Sequence, residues 1–104
     1  MNLEVTIREA LVNCLIQIQT SSGKFLSVIT DVLKPLGDLE DFNSEVWPIA
    51  SGMLQAELGI LIPGKTNIFK DAVSKKPLSI EEIVANLVAQ YPKWTVSTPT
   101  AVTK

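Results

Sequence analysis

Asp41-Phe42-Asn43-Ser44-Glu45-Val46-Trp47 runs, through Pro48 and a periodic apolar stretch, into Leu58-Gly59-Ile60-Leu61-Ile62-Pro63. A serine thus follows an acidic, turn-rich loop and heads a helical pattern that closes with a glycine and an Ile-Pro. Val46, Ile49, Ala50, Met53, Leu54 and Leu58 recur at three- and four-residue intervals, which predicts a helix over about 45–58 with these residues as its buried side. Ser44 or Asn43 is the natural N-cap, because a short side-chain oxygen can accept an orphan N–H of the first turn. Pro48 falls in that turn and withholds an N–H, so the helix should begin a residue late or open its first turn. Gly59 suits the position just past a helix end, where left-handed backbone is common.

Upstream, Leu3, Ile7, Leu11, Cys14, Leu15 and Ile18 repeat at helical spacing. Glu4, Arg8, Glu9, Asn13, Gln17 and Gln19 fill the other face. This predicts an amphipathic helix over about 3–19, stopped by Thr20-Ser21-Ser22-Gly23. Phe25, Leu26, Ile29, Val32 and Leu33 allow a short helix, and Pro35 discourages helix at Lys34. Leu36, Leu39 and Phe42 read as apolar anchors of a long ordered loop. Downstream, Ile60–Ile62 reads as an extended exit and Asn67-Ile68-Phe69 as a packed turn or short helix. Ser79-Ile80-Glu81-Glu82 is a capping box, and Ile80, Ile83, Val84, Leu87 and Val88 carry a last helix to about Gln90, before Pro92. The expectation is an all-α bundle of three to four helices over residues 1–91. A Thr- and Ser-rich segment, 92–104, reads as a disordered tail.

One domain with one core is what 104 residues support. The net charge of −2 argues against nucleic acid as the main partner. Residues 1–62 carry eight acids and three bases, whereas residues 63–104 carry three acids and six bases. That asymmetry suggests an acidic face around the serine loop. With no histidine and one cysteine, a Ser-His-Asp triad and a standard zinc site are both ruled out. Cys14, inside the first apolar pattern, reads as a core thiol. No apolar run reaches the ~18 residues of a membrane span. Met1-Asn2-Leu3-Glu4 lacks the form of a secretory signal, so a cytoplasmic location is the default expectation.

The whole constellation resembles an acyl carrier protein over about residues 3–90. It has a long first helix, a long loop, a serine at the head of the second helix, an Ile-Pro exit, a short third element and a capped last helix. Phe42-Asn43-Ser44-Glu45-Val46-Trp47-Pro48 further resembles a subset with Trp-Pro just after the serine. The family usually reads Asp-Ser-Leu where this chain has Asn43-Ser44-Glu45. The resemblance implies 4′-phosphopantetheine attached covalently to Ser44, with an acyl or aminoacyl cargo held as a thioester on its thiol. It implies a phosphopantetheinyl transferase and an acyl-loading or acyl-accepting biosynthetic enzyme as partners. A helix N-terminus would favour the phosphate's charge. The carrier itself would do no catalysis and would be monomeric.

Asp38, Glu40, Asp41, Glu45, Trp47 and Met53 are the candidate partner-binding residues. The acids would form a recognition patch, and Trp47 an anchor if exposed. The acid spacing does not fit an EF-hand loop, so no metal is expected. The plainer alternatives are Ser44 as a cap only, Trp47 as core, and the acids as a solvated loop. Two rival functions follow: an unmodified carrier-like binding module, or a small helical homodimer joined through the apolar second helix.

Overall fold

The computed structural model describes residues 2–23, 28–39, 42–63 and 66–95. The chain folds as an all-α bundle of α1 (Leu3–Ser21), α2 (Pro35–Asp38), α3 (Trp47–Leu58) and α4 (Ile80–Trp94). Among the described residues there is no strand, only the isolated bridges Ile60–Thr95 and Lys70–Pro77. No described helix is long and apolar enough to cross a membrane.

α1 is the spine, since it packs against both α3 and α4. Asn2 caps it by accepting the Glu4 and Val5 N–H groups at 2.9 and 3.4 Å. Ile7, Leu11, Cys14, Leu15 and Ile18 are buried, as the spacing predicts; Ala10 joins them, and Leu3 is half-buried. Gly23 ends it in left-handed backbone, φ 69°. Gln19, expected on the outer face, is instead only 1% exposed. At 3.6 residues per turn it follows Leu15 by one turn, and the apolar stripe therefore carries it inward.

Between α1 and α3, residues 28–34 are held by backbone bonds, and the short α2 follows where the sequence reads Leu36 as part of a loop, because Pro35 suits a first helical turn. Residues 28–34 are not helical, contrary to the short helix allowed for them, and Phe25 and Leu26 lie outside the described residues. Instead, the Glu81 N–H donates to the Asp31 carbonyl and the Ile80 N–H to the Leu33 carbonyl, both at 2.9 Å. The loop thereby satisfies the amino end of α4, which has four orphan donors to place. Arg8 adds ion pairs to Glu4 (2.9 Å) and Asp31 (3.1 Å). Lys34 is extended before Pro35, as the proline requires. Leu39 and Phe42 are buried and anchor the loop, and Phe42 meets Phe69 edge-on, 5.0 Å between centroids.

After α3, Gly59 takes φ 66° and its N–H donates to the Gln55 carbonyl. Ile60 and Ile62 point into the core while Leu61 is 63% exposed, the alternation of an extended segment. The Leu61 N–H donates to the Trp94 carbonyl at 2.8 Å, and the Ile62 N–H to Gln55 Oε1 at 2.8 Å. The predicted capping box of α4 is complete: the Ser79 hydroxyl accepts the Glu82 N–H (3.2 Å), and Glu82 accepts the Ser79 N–H (2.9 Å).

α4 runs past the expected end near Gln90 and contains Pro92. A proline this late removes only one intrahelical bond, and tertiary contacts hold the last turn. Tyr91 and Trp94 pack against the core, and the Tyr91 hydroxyl reaches the Leu58 carbonyl at 3.5 Å.

Candidate functional site at the head of α3

Two residues, Glu45 and Val46, separate Ser44 from the first residue of α3. Ser44, Glu45 and Val46 form a turn, and α3 proper begins at Trp47 with Pro48 just inside. Asn43 organises this turn. Its Oδ1 accepts the Glu45 N–H at 3.0 Å, and its carbonyl accepts the Val46 and Trp47 N–H groups at 2.9 and 3.0 Å. Neither Ser44 nor Asn43, the expected caps, stands at the N-cap of α3: that position is Val46, whose side chain makes no capping bond, because the Asn43 turn comes before the helix. Ser44 is exposed, and among the described residues its hydroxyl has no hydrogen-bond partner. Pro48 explains the opened turn: with no N–H, it leaves the Ser44 carbonyl without a helical donor. The turn leaves the favourable charge of a helix N-terminus but not free N–H groups to hold a phosphate. Those of Glu45, Val46 and Trp47 are already taken by Asn43.

The other candidate residues divide. Glu45 is exposed beside Ser44. Trp47 is half-buried against the core and lines a cavity of about 200 Å³ with Pro48, Ser51, Gln55 and Ile62. Met53, also half-buried, lies further along α3 in a groove of about 250 Å³ with Val46, Ile49, Ile18 and Gln17. Asp38 belongs to α2, where its carboxylate accepts the Lys34 N–H at 2.8 Å, and is committed to that local turn. Glu40 and Asp41 lie outside the described residues.

Two features escape the sequence pattern. Ile49, expected on the buried side, is 57% exposed. The apolar stripe of α3 is wider than the part α1 covers: Ala50, Ser51 and Leu54 face the core, while Val46, Ile49 and Met53 form a strip along its border. Ser51 is the other. It is 8% exposed, and its hydroxyl has no partner among the described residues. Its place one turn after Trp47 is the only hint in the sequence.

Cys14 is buried as expected. Burial, and secondarily the Glu57 carboxylate, pushes its thiol up, so it is not poised as a thiolate. No group of three or more His, Cys, Asp or Glu among the described residues could hold a metal ion.

Comparison of the chain with protein-family models, curated proteins and solved structures returns no match. The reading of this site therefore stands on its geometry and on the motif around Ser44.

Proposed function

We propose that the protein is a carrier of the acyl-carrier type, with Ser44 as the attachment point of 4′-phosphopantetheine. The observation that carries this is the division of labour at the head of α3. Asn43 closes the turn ahead of the helix, and Ser44 keeps an exposed hydroxyl with no partner among the described residues. A merely structural serine at this place would be spent on the helix, as Ser79 is on α4. An attachment serine must instead be reachable by a modifying enzyme and remain exposed afterwards.

The residues present fit covalent attachment better than they fit a phosphate cradle. Ser44 would hold the group through its oxygen alone, and the group, when bound, would supply a thiol for thioester chemistry. The positive end of the α3 dipole favours the added charge, and the neighbouring Glu45 opposes it mildly. An arm that must swing between partners has no need of tight local binding. Glu45, beside the serine, and the exposed part of Trp47, three residues on, would face a partner enzyme.

Incubation with coenzyme A, Mg²⁺ and a broad-specificity phosphopantetheinyl transferase should add one phosphopantetheine by intact mass. Ser44→Ala should abolish the gain. Asn43→Asp, which restores the carboxylate of the usual motif, should speed it. If both native protein and Asn43→Asp stay unmodified with several transferases, the carrier reading fails.

The second reading, an unmodified binding module, is favoured by the groove between α1 and α3. Ile49 and Met53 line it, and from residue 42 to 63 the chain carries Glu45 and Glu57 but no lysine or arginine. Its occupant would be an amphipathic segment with an apolar anchor and basic flanks.

A further inference from the structure

A cavity lies away from Ser44, between the 66–72 segment and α4. It measures about 350 Å³, at the small end of ligand sites. Ile68, Leu78 and Leu87, each less than a tenth exposed, supply its apolar floor. α4 contributes Asn86, Gln90 and Trp94, spaced one turn apart along one side. The facing segment contributes Thr66, Asn67, Lys70 and Asp71.

Part of this polar wall is committed. Asn67 Oδ1 accepts the Phe69 N–H at 2.9 Å, which leaves its NH₂ as the free end. Asp71 Oδ2 accepts the Ser74 and Val73 N–H groups at 2.7 and 3.0 Å, and these bonds hold the carboxyl below the usual carboxylate range. Among the described residues the Asn86 and Gln90 amides, the Thr66 hydroxyl and the Trp94 indole N–H have no hydrogen-bond partner. Most of these groups both donate and accept, whereas the charges amount to one ammonium and one carboxylate on adjacent residues.

We infer that this cleft binds a small neutral polyhydroxylated ligand, one or two sugar rings in size. Hydroxyls also donate and accept, and so match carboxamides and a threonine without a charge on either side. The adjacent Lys70 and Asp71 offer no net charge to attract an anion or a cation. A half-buried indole gives the apolar C–H face of a ring a flat surface, with the buried aliphatic floor beneath. Trp94 is the one aromatic lining the cleft among the described residues, whereas a planar base is best held between two such surfaces.

The test is titration of isotope-labelled protein with glucose, N-acetylglucosamine, maltose and cellobiose, and separately with adenosine, to about 50 mM, well above a weak Kd of about 1 mM. The expected result is saturable shifts of the Asn86 and Gln90 side-chain amides and the Trp94 indole with at least one sugar. Asn86 is exposed, so Asn86→Ala should fold normally and weaken binding about tenfold. Gln90→Ala should do the same. Absence of shifts with all four sugars overturns the proposal, as do shifts that survive both substitutions or saturation by adenosine alone.

Discussion

Ser44 and Ser79 each stand just ahead of a helix in the sequence, yet the fold uses them in opposite ways. Ser79 is 8% exposed and bonds reciprocally with Glu82, while the carbonyls of Asp31 and Leu33 take the next two donors of α4. Ser44 is exposed and spent on nothing among the described residues, because Asn43 takes the donors that follow it. The difference lies in what comes after each serine. Ile80-Glu81-Glu82 lets a regular first turn close on the cap. Glu45-Val46-Trp47-Pro48 cannot, because its fourth residue has no N–H to give. A helix head closed by its own serine is scaffold, and one closed by the preceding residue leaves a hydroxyl free for chemistry.

The largest expected effect lies in the scaffold that both helix heads rest on. Leu87, 2% exposed on α4, should cost about 2–5 kcal/mol on truncation to alanine. Met53→Ala, on the half-buried groove side of α3, should fall below that range. Chemical denaturation of both variants measures the contrast, and equal losses would mean that the α3 border strip is core after all.

The cap comparison comes next. Ser79→Ala and Asn43→Ala should each lose about 0.5–2 kcal/mol, while Ser44→Ala should stay within about 0.5 kcal/mol of the parent. A Ser44→Ala loss as large as that of Ser79→Ala would collapse the distinction between the two serines. Gly59→Ala should cost about 1 kcal/mol from its left-handed backbone alone, since no atom crowds the added Cβ.

The smallest effect concerns pH. Asp71 is held below the usual carboxylate range by N–H groups of its own loop, with Ser74 the larger contributor. A depressed folded value contributes stability that is fully present above the ordinary carboxylate pKa. It is lost as pH falls through the depressed value. Amide shifts of Val73 and Ser74 should therefore move only below about pH 4, the ordinary aspartate range. Asp71→Asn should remove that transition. Movement near neutral pH would show that the carboxylate is not bonded as described.

Much of the fold was legible because α1 and α4 obey local rules. The repeat from Ile7 to Ile18 predicted most of the buried stripe of α1, and Ser79 with Glu82 predicted the start of α4. Legibility failed wherever the deciding partner lay far along the chain. Pro92 reads as a stop, yet α4 continues because Leu61 donates to the Trp94 carbonyl and Tyr91 packs near Leu58. Residues 28–34 read as a possible helix, yet their carbonyls go to the amino end of α4. At the candidate site, the sequence alone singled out Ser44, but Ser51 and the exposure of Ile49 emerged only once α1 covered part of α3's stripe.

By itself, then, the sequence determined the three long helices, most of their apolar faces, and that a serine stands just ahead of the second of them, α3. Periodicity, caps and proline act within a few residues, so they are written locally. Tertiary structure decided how α3's apolar residues divide between core and surface, where α4 stops, and which loop serves its amino end. Those outcomes depend on contacts between residues 30 to 50 positions apart, whose energies no local pattern contains.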